Sequence, residues 1–84
     1  MNIDISTPFL NIFHGEFISF YIDSKDGCYD ILPDYMECIF DITDAKLYLT
    51  KKDNSKLKLK VKDSGLVKIE GNEVLVKIFD YEEI

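Results

Sequence analysis

The sequence has few of the residues that build metal centres and disulfide frameworks. Its 84 residues include two cysteines, Cys28 and Cys38, and one histidine, His14. A structural zinc site needs about four nitrogen or sulfur ligands, so these side chains are too few. No orienting group or oxyanion-binding motif accompanies a cysteine and a histidine that could act as nucleophile and base. The sequence therefore predicts free thiols, no metal, no cofactor and no catalysis.

Long hydrophobic runs are also missing. No stretch approaches the ~20 apolar residues that a membrane span requires. The N-terminus lacks both the basic flank of a signal peptide and the Arg-rich character of a transit peptide. We therefore expect a chain in the cytosol, or on the cytosolic side of an assembly, with no direct membrane insertion. The length and a hydrophobic content of 46% predict a single domain over residues 1–84.

Positive charge is scarce relative to negative charge. The formal net charge is -6, which argues against nucleic acid as the main partner because phosphate binding needs a basic surface. The lysines are unevenly distributed: eight of the ten lie between Lys46 and Lys68, whereas residues 1–45 hold nine acidic residues and one lysine. The sequence favours a solvated lysine face, and a basic patch on one strand is the alternative.

The most frequent pattern in the sequence is the period-two alternation of β-strands. Leucine or valine alternates with lysine in Lys56–Lys62, which is typical of a half-buried antiparallel strand. Glu16–Asp23 alternates in the same way, and Gly71-Asn72-Glu73 is a tight hairpin signal between two β-rich runs. The alternation predicts these core residues: Ile18, Phe20, Ile22, Leu57, Leu59, Val61, Val67 and Ile69.

One segment could be either a helix or a strand. Asp34–Ala45 carries apolar side chains at helical spacing, but Cys38–Thr43 within it is rich in β-forming residues, so we favour a strand. Seven or more short strands separated by turns then predict an all-β fold, a small two-sheet antiparallel β-sandwich or flattened barrel. The residues alone therefore indicate an acidic, non-catalytic binding module.

Several short motifs occur in an order that one protein family shares. They are Ser6-Thr7-Pro8, Phe13-His14-Gly15, Asp26-Gly27, Ile31-Leu32-Pro33, Ser64-Gly65-Leu66-Val67 and Gly71-Asn72-Glu73-Val74. In this order the chain resembles, over its whole length, the N-terminal β-sandwich domain of the epsilon subunit of rotary (F-type) ATP synthases. Two departures are Cys28, where the family commonly has an acidic residue, and Ser64, which replaces the first glycine of a pair.

The family normally continues into a C-terminal helical hairpin that can restrain ATP hydrolysis, whereas this sequence ends at Ile84. The resemblance fits either a naturally short form or a shortened chain. It implies a non-catalytic rotor subunit of a proton- or sodium-driven ATP synthase, which links the gamma subunit to the c-ring in the central stalk. The implied location is peripheral, at the cytoplasmic face of the bacterial inner membrane.

The resemblance also assigns partner contacts by position in the family. The residues expected at the c-ring are Asp26, Gly27, Cys28 and Tyr29, and those expected at gamma are Ser6, Tyr35 and Phe40. Aromatic residues such as Tyr29, Tyr35 and Phe40 are more often part of the core than of an interface, so a core position is the alternative for these three. The alternative to a rotor subunit is a free-standing β-sandwich adaptor or ligand-binding module, which predicts a concave pocket with convergent polar groups.

Overall fold

Seven β-strands make up the chain in the computed structural model, which describes residues 1–32 and 34–84. The strands are β1 (Asn2–Ser6), β2 (Asn11–Ser24), β3 (Gly27–Ile31), β4 (Cys38–Thr43), β5 (Lys46–Lys51), β6 (Lys56–Glu70) and β7 (Glu73–Glu83). No helix occurs within these described ranges, which confirms the all-β prediction and the strand predicted at Cys38–Thr43. Pro33 of the Ile31-Leu32-Pro33 motif lies outside the described residues.

The strands close into a flattened barrel. Hydrogen bonding runs β1-β7-β6-β5-β2, and β1 pairs with β2 to complete the circle. The other two strands extend it, β3 beside β2 and β4 beside β6. All pairings are antiparallel except that of β1 with β7, which is parallel and departs from the purely antiparallel prediction. Among the strands described, β3 and β4 each pair with one neighbour, and residues 11–16 of β2 and 80–83 of β7 are also paired on one side only.

Three long strands bend across the barrel and divide it into two sheets. Sheet 1 contains β1, β4 and residues 11–16, 64–70 and 73–78 of the long strands β2, β6 and β7. Sheet 2 contains β3, β5 and residues 17–24, 56–62 and 80–83 of the same long strands. The two sheets face each other across one core, which confirms the predicted sandwich or flattened barrel.

The bend of β6 depends on a bulge and on one glycine. The β6–β7 register shifts between Lys62 and Gly65, and Asp63 there has a φ of 64°. A Cβ on Gly65 would lie 2.8 Å from the Ile78 Cγ2 atom and 3.2 Å from the Ile42 Cγ1 atom. Only glycine therefore lets β4, β6 and β7 approach this closely at the point where the sheets diverge.

The core is built largely from the predicted side chains. Four of them are fully buried, two are nearly so, and one is half-buried against them: Phe20, Ile22, Val61 and Val67, then Leu59 and Ile69, and last Leu57. The sequence analysis did not identify the rest of the core, which is Ile3, Ile5, Phe17, Ile31, Ile42, Ala45, Leu47, Leu49, Val74, Val76 and Ile78.

The prediction was wrong for Ile18. Its side chain is 44% exposed, whereas that of its neighbour Phe17 is 5% exposed. The cause is a shift in the β2–β5 register between Phe17 and Ser19, where Ile18 has no partner. A bulge inserts one residue and reverses the inward face on one side of it. The period-two assumption therefore holds from Phe20 onward and fails before it.

Candidate partner interfaces

The first candidate interface is the tip of the β2–β3 hairpin, the turn residues Lys25 and Asp26. Ser24 pairs with Gly27, so this turn has two residues. The buried Ser24 hydroxyl donates a hydrogen bond to the Thr43 carbonyl at 3.2 Å and accepts one from the Thr43 amide at 3.0 Å. The Lys25 amide also donates to the Thr43 carbonyl, at 2.9 Å. The exposed tip is therefore fixed to the end of β4.

Cys28 lies just behind the tip on the outer face of sheet 2. It is an exposed free cysteine, and its Sγ lies 3.5 Å from the Asp23 Oδ1 atom, within donating distance. The Cys28 sulfur also raises the pKa of the Tyr21 phenol, first through a hydrogen bond and then through its charge. The free thiol is therefore accessible to reagents, with polar neighbours on its own face.

Tyr29 and Phe40 are brought together, although the resemblance assigned them to different partners. Their rings stack with centroids 4.2 Å apart and an interplanar angle of 23°. Both side chains are half-buried against the core, Tyr29 from β3 and Phe40 from β4. Since β3 and β4 are the two strands outside the barrel, this stack closes the gap between the sheets.

Tyr35 lies in the connection between β3 and β4, half-buried against the same core. Its amide donates a hydrogen bond to the Leu32 carbonyl at 3.2 Å. Further along, the Glu37 carboxylate accepts a 2.7 Å bond from the Gly71 amide at the β6–β7 hairpin. Met36 is an exposed hydrophobic side chain of this connection, at 76%.

Ser6 lies in a groove on the outer face of sheet 1. The groove encloses about 490 Å³ and is lined by Ser6, Thr7, Pro8, Asp41, Ser64, Gly65, Leu66, Lys77, Ile78 and Phe79. The Ser6 side chain is buried, and its hydroxyl accepts a 3.0 Å hydrogen bond from the Lys77 ammonium. The Ser6 hydroxyl and the Lys77 ammonium are therefore already paired with each other.

We call two exposed phenylalanines the rim of this groove: Phe79, which lines the groove, and Phe9, whose ring contacts Phe79. Phe9 is 85% exposed and Phe79 is 67% exposed, and their rings meet edge to face with centroids 6.2 Å apart. The Thr7 hydroxyl accepts hydrogen bonds from the Phe9 amide at 3.1 Å and the Leu10 amide at 3.0 Å, which fixes the turn that carries Phe9. The rim is thus an ordered aromatic surface next to Ser6, a residue expected at gamma.

The sequence analysis did not identify Phe9 and Phe79. A signal for Phe79 was present, because Val74, Val76 and Ile78 occupy the inward positions of β7 and leave Phe79 outward. No signal marked Phe9, since its contact with Phe79 joins residues far apart in the sequence. The two rings become neighbours only because β1 pairs with β7.

The described part of the chain offers no cluster for metal binding. No group of at least three histidine, cysteine, aspartate or glutamate side chains converges within residues 1–32 and 34–84. Every buried polar side-chain atom in these ranges has a hydrogen-bond partner. These same residues contain no helix with the length and hydropathy of a membrane span.

Comparisons with known proteins identify the fold. No family model and no curated protein matches the chain. A chain of Euglena gracilis mitochondrial ATP synthase, from a structure of OSCP, F1 and the c-ring, matches with a TM-score of 0.84 at 11% identity, over 96% of this chain and 51% of that chain. A second match is a chain from a structure of the Tetrahymena thermophila mitochondrial ATP synthase central stalk and c-ring. Its TM-score is 0.78 at 15% identity, and the match covers 98% of this chain and 65% of that chain.

This chain therefore spans 51% and 65% of the length of the two chains it matches. At these identities the likeness concerns the fold alone. This likeness confirms the β-sandwich fold that the resemblance to the epsilon subunit predicted. Chains with the same fold occur in two ATP synthase structures.

Proposed function

We propose that this chain is a non-catalytic rotor subunit of an ATP synthase, which links the gamma subunit to the c-ring in the central stalk. The observation that carries the proposal is an agreement between two independent comparisons. The motif order resembles the epsilon subunit, and the fold matches chains of two ATP synthase structures that contain the c-ring. A rotor part transmits torque, which suits a closed barrel with one continuous core.

The groove of sheet 1 is the proposed gamma-binding site. Ser6, expected at gamma, lies in its floor, and Phe9 and Phe79 stand at its rim. Exposed aromatic residues on an ordered surface are typical anchors of protein interfaces. The floor hydroxyl of Ser6 is already bonded to Lys77, which favours a protein surface over a small polar ligand as the occupant. Gamma contacts by Tyr35 and Phe40 stay predictions of the resemblance.

The tip of the β2–β3 hairpin is the proposed c-ring contact, together with Gly27, Cys28 and Tyr29 behind it. Asp26 and Cys28 are exposed, and the turn is held by Ser24 and Thr43. A fixed polar turn can bind polar loops through its main chain and charges without a large apolar area. Tyr29 contributes by supporting the tip, because its ring is stacked on Phe40.

The proposal includes a peripheral position on the membrane that houses the synthase. Both matched structures are mitochondrial, so the bacterial inner membrane is a prediction from the sequence resemblance alone. The absence of catalysis is likewise part of the proposal, since the chemistry of ATP synthesis would belong to other subunits.

Co-purification from the organism that encodes the chain tests the proposal. The tagged chain, recovered from detergent-solubilised membranes, is expected to bring gamma and c subunits with it in constant ratio, as identified by mass spectrometry. Recovery with an unrelated partner, or alone, would favour the adaptor alternative. An untagged culture carried through the same column controls for non-specific recovery.

A further inference from the structure

A row of lysines covers the outer face of sheet 2, on the opposite side of the sandwich from the groove. We define the lysine ladder as the outward side chains of Lys46 on β5 and of Lys56, Lys58 and Lys60 on β6, all of which are exposed. Successive outward positions on β6 are about 6.6–6.8 Å apart, and the two strands are ~4.8 Å apart. The ladder is therefore long and only two strands wide.

The ladder carries positive charge that is not paired with carboxylates in the part of the chain that the structure describes. Lys46 lies directly opposite Lys60 in the β5–β6 register, a like-charge pair that destabilises a sheet. Within the described residues, no carboxylate lies within 4.0 Å of the Lys46, Lys58 or Lys60 ammonium groups. The other lysine of the ladder, Lys56, donates a hydrogen bond to the Thr50 hydroxyl, at 2.9 Å.

Acidic residues border the ladder on both sides. Asp23 on β2 lies next to Lys46 in the sheet, and Glu82 on β7 lies next to Lys60. Since the whole chain has a net charge of -6, a broad anionic surface would meet repulsion from these margins and from the remaining molecule. A flat anionic membrane and a nucleic-acid duplex are both too wide for the strip. A narrow anionic segment meets only the lysines.

Two tyrosines add an aromatic surface to the ladder. Tyr48 lies opposite Lys58 on one side and opposite Tyr21 on the other, where the two rings are 6.0 Å apart between centroids. We propose that the ladder binds a single acidic protein segment in extended conformation, with its carboxylates on the lysines and its backbone or apolar side chains on the tyrosines. Alternate residues of such a segment repeat at the same ~6.6–6.8 Å as the ladder.

This proposal does not depend on the proposed rotor function, because the ladder contains none of the residues proposed to contact gamma or the c-ring, and the test needs neither partner. It predicts binding of a short peptide of alternating glutamate and serine to the isolated full chain. In a titration followed by amide NMR shifts, the shifts should concentrate at Lys46, Tyr48, Lys58 and Lys60. Exposed charge pairs are individually weak, so binding should weaken further as salt rises.

A pair of matched variants tests whether the acidic peptide binds at the lysine ladder. The ladder variant, Lys46→Gln/Lys58→Gln/Lys60→Gln, should bind the peptide roughly tenfold more weakly, since each lost exposed pair contributes a small share of the affinity. The control variant, Lys25→Gln/Lys52→Gln/Lys68→Gln, removes the same net charge elsewhere and should bind nearly as the wild type does. The ladder variant should also unfold at no lower temperature, because it loses like-charge repulsion.

Several outcomes would overturn the proposal. One is equal weakening in both variants, which would make the effect one of net charge alone. Another is equal binding of a peptide that alternates lysine and serine. Binding of phosphatidylserine vesicles or of a single-stranded oligonucleotide through the ladder, without binding of the acidic peptide, would assign the face to lipid or nucleic acid instead.

Discussion

The outer faces of the two sheets differ in chemistry although the same long strands build both. β7 presents Lys77 on sheet 1 and Phe79 at the end of that sheet, both lining the groove, whereas on sheet 2 it presents Glu82 beside the lysine ladder. The first face offers the exposed rings of Phe9 and Phe79, and the second offers the lysine ladder, which has no ion-pair partner among residues 1–32 and 34–84. Aromatic burial gives large binding energies and exposed charge gives small ones. This difference therefore favours sheet 1 for the proposed gamma contact, whereas the proposed c-ring contact is the β2–β3 hairpin of sheet 2.

The bend in β7 separates the aromatic outer face of sheet 1 from the charged outer face of sheet 2. Along β7, Val74, Val76 and Ile78 point inward on sheet 1, and both Phe79 and Asp80 are exposed where the register with β6 shifts. A bulge thus lets one strand change its inward face at the border between the sheets. The outer face of each sheet can then have its own residue types although both sheets cover the same core.

The largest expected effect is a loss of stability when a side chain of the core shared by the two sheets is truncated. Leu59→Ala should lower the free energy of unfolding by roughly 2–5 kcal/mol, because Leu59 is 1% exposed and its truncation leaves a cavity. Leu57→Ala on the same strand is the matched control and should cost less, since Leu57 is only half-buried. Chemical denaturation measures both. Equal midpoints for the wild type and the Leu59 variant would contradict the inward assignment of β6.

The next largest effect should distinguish the outer faces of the two sheets by their contribution to the affinity for gamma, with little change in stability. Phe79→Ala should weaken binding to gamma by about 2 kcal/mol or more, as expected for an aromatic anchor. It should change the unfolding free energy by only about 0.5 kcal/mol, because the ring is 67% exposed. Ile18→Ala, on the outer face of sheet 2, is the control and should leave this affinity unchanged. Calorimetric titration of purified gamma gives the comparison, and similar losses in both variants would count against the groove.

A smaller effect on stability is expected at the bend of β6, the border between the two sheets. Gly65→Ala should destabilise the fold by roughly 1–3 kcal/mol, because the new Cβ would meet Ile78 at 2.8 Å. Ser64→Ala, one residue away and exposed, should stay within about 0.5 kcal/mol of the wild type. Thermal unfolding followed by circular dichroism measures the pair. A neutral Gly65→Ala variant would mean that β6 and β7 can separate at the bend without cost.

The smallest effect concerns an ion pair that joins β2 to the β5–β6 turn. The Lys52 ammonium lies 2.8 Å from the Glu16 carboxylate and lowers the pKa of Glu16 through a hydrogen bond and its charge. A lowered folded-state pKa stabilises the fold above the unfolded pKa of glutamate, and this contribution is lost as the pH falls through the folded value. Lys52→Gln should therefore raise the Glu16 pKa measured by NMR titration, whereas Lys68→Gln should leave it unchanged.

The sequence predicted the fold class and most of the inward faces because alternation and hairpin signals are local. Leu59 and Val61 follow from the lysine alternation, and the Gly71 hairpin follows from its turn residues, with Gly71 at a φ of 59°. Ile18 failed because a bulge is set by the pairing with β5 and leaves no local signal.

The candidate interfaces were less predictable than the fold. The resemblance indicated Ser6 and the hairpin tip, but the Phe9–Phe79 rim arises from the pairing of β1 with β7. The stack of Tyr29 on Phe40 likewise joins strands that do not pair. Contacts between distant segments depend on the closed barrel, and a single sequence read along its length does not contain them.

Thiol labelling of Cys28 is the most direct test of the central claim, that the β2–β3 hairpin contacts the c-ring of an ATP synthase rotor. Cys28 is exposed behind the tip, and Cys38→Ser removes the other free thiol. The account predicts rapid labelling of the isolated chain and strong protection in the assembled synthase. Equal labelling in the two states would contradict it.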